Sequence, residues 1–318
     1  MATYKEIKGT NIEAVATDPT YPNTGQVWYN TTSNVLKGAT GTPTVSWSTT
    51  NPMNTGRYGM GSAGAQTSAL GFGGNGPSTQ TAVTESWNGT NWTEVNDLNE
   101  ARHYCAGAGV NNTSALAFGG NVAPQTANTE SWNGSNWTEV NNLNEVKELL
   151  GGSGTQTSAL AYGGAAPGDI NKTSTEVWNG TNWTEVNNLN TGRNGLSGAG
   201  ADSTSAVAFG GGDPSVQLTE LWNGTNWTEV NDLNLARVYI GSTGIATAAL
   251  AIGSNDSPQG QTESWNGTNW TEVNDLNVGR TTAGGAGTST VALAFGGGGR
   301  TNSSEAFAGI TIKTFTDS

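Results

Sequence analysis

His103 and Cys105 are the only histidine and the only cysteine among 318 residues, and they stand two apart. On a strand, residues at i and i+2 share a face, so the two could act as base and nucleophile. No third group is at hand to orient the imidazole, and no other part of the chain repeats the pair. They read instead as side chains at the rim of a channel. A lone cysteine excludes an internal disulfide and every multi-cysteine metal site. A more regular set is Arg57, Arg102, Lys147, Arg193, Arg237 and Arg280, which make up half of the twelve Lys and Arg. Glutamates recur with them. Glu85 and Glu94 flank a Trp-Asn-Gly-Thr-Asn-Trp hexapeptide and would face each other across a hairpin, where like charges are unfavourable. Either a cation sits beside them or a bulge breaks the register. The six cations could form an axial ring that holds an anion. Pairing with the Glu85/Glu94-type carboxylates is the expectation, because charges taken out of water are normally paired. A Ca²⁺ ion between the glutamates has no Asp-x-Asp-x-Asp-Gly loop to support it. No metal and no cofactor is therefore expected.

The elements that must position these groups follow from that hexapeptide. Trp87-Asn88-Gly89-Thr90-Asn91-Trp92 returns from Trp132, Trp178, Trp222 and Trp265, with first tryptophans 45, 46, 44 and 43 residues apart. A fixed period in this range points to a propeller. Asn-Gly between alternating Trp, Val, Thr and Glu is a hairpin signal that places Trp87 opposite Trp92. Four strands fit in each unit. For the second unit they are a glycine- and alanine-rich strand ending near Gly109, then 115–120, 128–132 and 137–140. The second strand occurs six times, at Leu70, Leu116, Leu160, Val207, Leu250 and Leu293, which predicts six blades. Small residues on the first strand suit a crowded central channel.

Composition narrows the function classes. Net charge is −13, with no basic run able to track a phosphate backbone, so nucleic acid is not an expected partner. No stretch approaches 18 apolar residues, and membrane insertion is not expected. Met1 to Glu6 shows no apolar signal region. Glycine accounts for 47 residues, but twelve tryptophans, ten of them in the hairpins, argue for packed structure.

Residues 1–40 lie outside the repeat and read as a docking segment with a small hairpin at Gly25–Gly38; residues 41–318 form the propeller. The repeat is entered in mid-unit, because Trp47 to Arg57 aligns with Trp92 to Arg102. It also stops in mid-unit, at Ser304 to Phe307. The strand missing at one end is present at the other, so pairing of the two ends would close the ring and leave no open edge. Ile310 to Phe315 alternates well and competes for the same place.

A glycine pair ending the second strand, an aromatic on the third, a Trp on the fourth and a cation opening the next unit resemble the Kelch repeat over residues 45 to about 308. The matching residues of the second unit are Gly119-Gly120, Trp132, Trp137 and Lys147 in place of Arg. The resemblance implies an all-β, six-bladed propeller of four-stranded antiparallel blades. Kelch proteins bind partner proteins or, in copper-radical oxidases, do chemistry; the latter needs several His and Tyr ligands, and one histidine cannot supply them. Near the start, Lys5-Glu-Ile-Lys-Gly-Thr-Asn-Ile-Glu, Asp18-Pro and Gly25-Gln-Val-Trp-Tyr-Asn resemble the opening of structural proteins of tailed bacteriophages, particularly marine ones. That resemblance implies a virion component assembled in the host cytoplasm.

Comparison of the six units separates two surfaces. The Asn-Gly-Thr-Asn turn is nearly invariant, whereas the second-to-third loops 75–81, 121–128, 165–173, 212–217, 254–261 and 298–302 differ, as do the residues around each cation. Variable loops on a rigid frame are where binding resides. The candidate binding residues are His103, Tyr104, Asn121, Gln125, Asp169, Asn171, Asp213 and Asp256. The expectation is a non-enzymatic virion protein of the tail fibre or host-contact apparatus, with other virion proteins and a host glycan or protein as partners. A structural capsid or tail decoration protein is the alternative. A carbohydrate-active enzyme is a remote third, because no carboxylate pair is unique to one blade.

Overall fold

The computed structural model describes residues 12–18, 26–40, 46–122, 125–168, 170–308 and 311–315. Among them every regular element is a strand except one short helical turn, Gly298–Arg300. The chain divides into two compact units, Met1–Val45 with Gly309–Ser318, and Ser46–Ala308.

In the smaller unit Val27–Asn30 and Val35–Thr40 form the expected antiparallel hairpin, with Glu13–Val15 running parallel to Val27–Asn30. Asp18 is its polar hub. One carboxylate oxygen accepts from Trp28 Nε1 (3.0 Å) and Asn30 Nδ2 (2.7 Å), and the other faces Lys37 Nζ at 2.6 Å. Burial alone would raise the Asp18 pKa, but these bonds and the Lys37 charge hold it below the usual range. Thr311–Phe315 pairs with Val35–Thr40, with Leu36 opposite Phe315. The expected boundary of 41–318 is corrected accordingly: the C-terminal strand goes with the N-terminal unit.

The place it competed for is already filled. Ser46–Thr50 pairs with Ser304–Ala308, placing Phe307 opposite Trp47 and Glu305 opposite Thr49. Strands from the two ends of the larger unit therefore share one sheet. That sheet, with Gly284–Gly287 and Val291–Phe295, is the sixth of six four-stranded antiparallel sheets in the larger unit. The first comprises Gly61–Ala65, Ser68–Phe72, Thr84–Trp87 and Trp92–Val95, and the next four repeat its order. A seventh four-stranded sheet belongs to the smaller unit, and Ala165–Ala166 with Ile170–Asn171 makes a two-stranded one.

Two cycles set the six sheets around an axis. Each first strand packs beside the first strand of the next sheet, and Gly284–Gly287 returns to Gly61–Ala65. Each fourth-strand tryptophan donates its indole N–H to a third-strand hydroxyl of the preceding sheet. Trp137 reaches Thr84 (3.0 Å), Trp92 reaches Ser304 (3.0 Å), and Trp47 reaches Thr262 (3.2 Å). Repeated four-stranded sheets in this arrangement are the architecture of a β-propeller.

Burial follows the sequence pattern. Second strands such as Ser114–Phe118 are covered on both faces and read as unbroken apolar runs, whereas the fourth strands turn one face to solvent. Between sheets, Phe72 meets Trp137 at 4.9 Å and Phe295 meets Trp92 at 4.7 Å. Within a hairpin the tryptophans lie 5.3–5.4 Å apart, as at Trp87–Trp92 and Trp132–Trp137. Aromatic pairs of this geometry contribute about 0.5–1.5 kcal/mol beyond their buried area.

Candidate functional site

The glutamate register is kept, with Glu85 opposite Glu94 and Glu130 opposite Glu139. Only the third-strand member of each pair is buried; Glu94 and its equivalents are exposed. Each ring cation meets that buried carboxylate. Arg57–Glu85 and Arg193–Glu220 are 3.0 Å apart, Lys147–Glu176 3.1 Å and Arg237–Glu263 2.8 Å, and Arg102–Glu130 and Arg280–Glu305 pair likewise. All six cations are at most 1% exposed, and none lines the central cavity. The pairing expectation holds, and an axial anion ring is excluded.

An asparagine three residues before each cation completes the arrangement. Its backbone N–H (2.7–2.8 Å) and side-chain amide (2.7–2.9 Å) donate to the other oxygen of the same glutamate. The arginines also donate to strand-end carbonyls, as Arg237 does to Gln261 at 3.0 Å. Each connector is thereby stitched to the sheet it enters, with one carboxylate oxygen on the cation and the other on the asparagine; Glu176 Oε1 meets only the Lys147 charge.

The invariant turns have a structural reason too. Five asparagines that follow fourth strands reach the next turn: Asn96 donates to Ser135 O (2.9 Å) and Asn136 Oδ1 (2.8 Å). Asn51, Asn141, Asn187 and Asn231 repeat the contact. The turn face carries five latches between successive sheets.

At the opposite face, the variable loops meet the residues that follow each cation. Tyr58 bridges to Asn75, His103 to Asn121 and Glu148 to Ala165. Gly212 donates to Asn194, Asn255 to Val238, and Gly298 to Thr281. The second residue after each cation forms a closed ring of backbone hydrogen bonds around the axis. Tyr104 N–H donates to Gly59 O (2.6 Å), Leu149 to Tyr104 (3.0 Å), Gly195 to Leu149, Tyr239 to Gly195 and Thr282 to Tyr239 (2.8 Å each), and Gly59 to Thr282 (3.2 Å). All six have left-handed φ, from 51° to 62°. Glycine adopts this freely, whereas Tyr104, Leu149, Tyr239 and Thr282 do so at about 1–3 kcal/mol each. Behind the ring lies a cavity of about 200 Å³ lined mainly by Gly, Ala and Ser of the first strands.

Aromatic rings gather at this mouth. Tyr104 lies 4.4 Å from His103, 6.1 Å from Tyr58 and 6.3 Å from Tyr239, the last nearly parallel at 19°. Burial, then the neighbouring Tyr58, Tyr239 and Glu148, push the Tyr104 phenol above its usual pKa. Burial holds His103 below the usual range although Glu148 pulls the other way. Cys105 is buried and its thiol pushed up by burial, so it is not a thiolate at neutral pH. Among the described residues no three of His, Cys, Asp and Glu converge as metal ligands would.

His103, Tyr104, Asn121 and Gln125 come together, around Glu148. That glutamate is 6% exposed and accepts from Asn121 Nδ2 (2.9 Å) and Gln125 Nε2 (2.8 Å). These two amides are committed to the protein's own carboxylate. Asn171 and Asp213 are exposed; Asn171 pairs with Ala165, which bridges to Glu148, and neither side chain bonds to the mouth cluster among the described residues. Asp256 ties two loops together by accepting from Ser215 Oγ at 2.8 Å. Asp169 lies outside the described residues. Sequence reasoning missed the connector asparagines, although Asn-x-x-Arg/Lys recurs six times from Asn54 to Asn277. It placed Tyr58, Tyr239 and Arg300 within variable segments, beside the cations and in 298–302, but did not name them as binding residues.

No family model matches the chain, and no curated protein is significantly similar to it.

Proposed function

We propose that the larger unit is a six-bladed, Kelch-type propeller in the particle of a tailed bacteriophage, where it acts without catalysis as a binding module of the host-contact apparatus. The carrying observation is the contrast between its two faces. One repeats a single latch; the other presents six different loops and an aromatic mouth on a frame fixed by buried ion pairs. Rigid frames with variable loops are built for recognition, and tyrosine and asparagine suit sugar or protein contacts. The smaller unit serves in this reading as the attachment to other virion proteins.

The test exchanges loop 165–173 for 212–217, then the other loops in turn, and measures attachment to host cells. Loss of attachment with an unchanged melting temperature supports adhesion; attachment unaffected by every exchange sinks it. A capsid or tail decoration role has one observation in its favour, the exposed apolar Val110, Ile245 and Val291 at the turn ends of their strands. Occupancy of a symmetric lattice position in a particle reconstruction would decide for it.

A further inference from the structure

The aromatic mouth ends in a cation that the fold does not use. Eight of the twelve cations lie in Ser46–Ala308. Six are the buried ring, and Lys172 pairs with Glu145. Arg300 is exposed and, among the described residues, makes no ion pair. Its guanidinium sits over the Tyr58 ring, 5.7 Å from the centroid, and donates to Asn75 Oδ1 at 3.4 Å. The backbone beneath is fixed. Arg300 itself has left-handed φ (56°), and its carbonyl oxygen lies 2.1 Å from where a β-carbon on Gly56 would stand, so only glycine at 56 admits the loop. A cation held in place over an aromatic face keeps most of its N–H groups free for an incoming acceptor.

The rings beside it are likewise extra to the scaffold. Tyr58, Tyr104 and Tyr239 belong to none of the repeated tryptophan or phenylalanine positions. In other units, the place of Tyr58 is taken by Glu148, Asn194 or Thr281, and that of Tyr104 by Gly59, Leu149 or Gly195. Gly59 and Gly195 take the same backbone conformation without strain and leave room for a tyrosine ring, because a β-carbon on them would come within 2.7 Å of Tyr104 and 3.0 Å of Tyr239. The chain thus carries two strained tyrosines, each lying over its own glycine. Strain kept where glycine would relieve it points to use. Around them stand Asn75, Asn194, Thr281 and Thr282, with Leu149 the only aliphatic side chain at the six mouth positions. A surface of ring faces, amides and hydroxyls without an apolar core fits a sugar better than the desolvated centre of a protein interface.

We infer that the mouth is a subsite for a saccharide bearing a carboxylate. Its pyranose ring lies on Tyr104 and Tyr239, its hydroxyls meet the surrounding amides, and its carboxylate pairs with Arg300, for which a planar guanidinium is the natural partner. The inference rests on the binding reading of the loop face and narrows it to one ligand class. The test applies the full chain to an array of uronate- and sialate-bearing oligosaccharides beside their carboxyl-reduced counterparts. The acidic forms bind and reduction weakens them about tenfold, as does Arg300→Gln, which leaves the melting temperature unchanged because the side chain is exposed. Tyr104→Gly keeps or raises the melting temperature while abolishing binding. Equal binding of acidic and reduced forms, or an Arg300→Gln variant that binds as before, overturns the carboxylate subsite and leaves adhesion standing. Binding of no saccharide also overturns it, and the loop-exchange attachment assay then judges the adhesion reading separately.

Discussion

Arg193→Ala removes a charge that the fold has sealed in. Arg193 and Glu220 are each 1% exposed, with Nη2 3.0 Å from Oε1, and Nη1 donates to Leu218 O at 3.1 Å. In the variant Glu220 keeps only the Asn190 donors, and the Leu218 carbonyl keeps only the Gly210 N–H at 3.0 Å. Breaking one side of a buried pair costs about 3–5 kcal/mol. At roughly 2 °C per kcal/mol for a unit of this size, the melting temperature falls by about 6–10 °C. Lysine is the graded control. Lys147 fills the equivalent place, reaching Glu176 at 3.1 Å and Ser174 at 3.3 Å. Arg193→Lys therefore forfeits mainly the carbonyl bond, about 1 kcal/mol. Urea unfolding followed by tryptophan fluorescence, with all three proteins in parallel, reads both numbers. An unchanged midpoint for Arg193→Ala, or equal losses for alanine and lysine, would refute the reasoning, because the first denies the pair and the second denies that charge is what matters.

Three further outcomes are expected. Deleting residues 41–52 removes the outer strand of the sixth sheet and the Trp47–Thr262 bond; it should lower the melting temperature sharply, and a truncated chain that melts like the parent would contradict the shared sheet. His103 has its folded pKa below the unfolded 6.5, so the unfolded chain binds protons first. Its contribution to stability is therefore complete above about pH 7 and lost as the pH falls through 6.5 towards the folded value; His103→Asn should flatten that part of a pH–stability profile. Asp18→Asn should loosen the smaller unit at neutral pH, seen as a red shift and quenching of Trp28 fluorescence against a background in which the other tryptophans are unchanged.

The repeat was legible because each copy states its own hairpin: the Trp-Asn-Gly-Thr-Asn-Trp motif fixed the register that places Trp87 opposite Trp92 and Glu85 opposite Glu94. The unfavourable glutamate pair even foretold a neighbouring cation. The role of Thr311–Phe315 was not legible, since an alternating strand does not name the edge it will join. The mouth was legible only in part. His103 and Tyr104 stood out by rarity and position, and Tyr239 and Arg300 fall in variable segments of the same face, but the sequence does not bring them into one cluster. Only a ring closed through Gly59 and Thr282 does that. Asn121 and Gln125 looked like free amides because nothing local in sequence announces that Glu148, more than twenty residues on, will claim both.

The account turns on which face does the binding. Hydrogen exchange of the full chain, with and without isolated host envelopes, tests this directly, because the six mouth residues precede the first strands whereas turns such as 88–91 join third strands to fourth at the other face. Added protection at residues 58–60, 103–105, 238–240 and 298–301, with the Asn-Gly-Thr-Asn turns unchanged, is the predicted result. Protection confined to the turns, or none on either face, would contradict it.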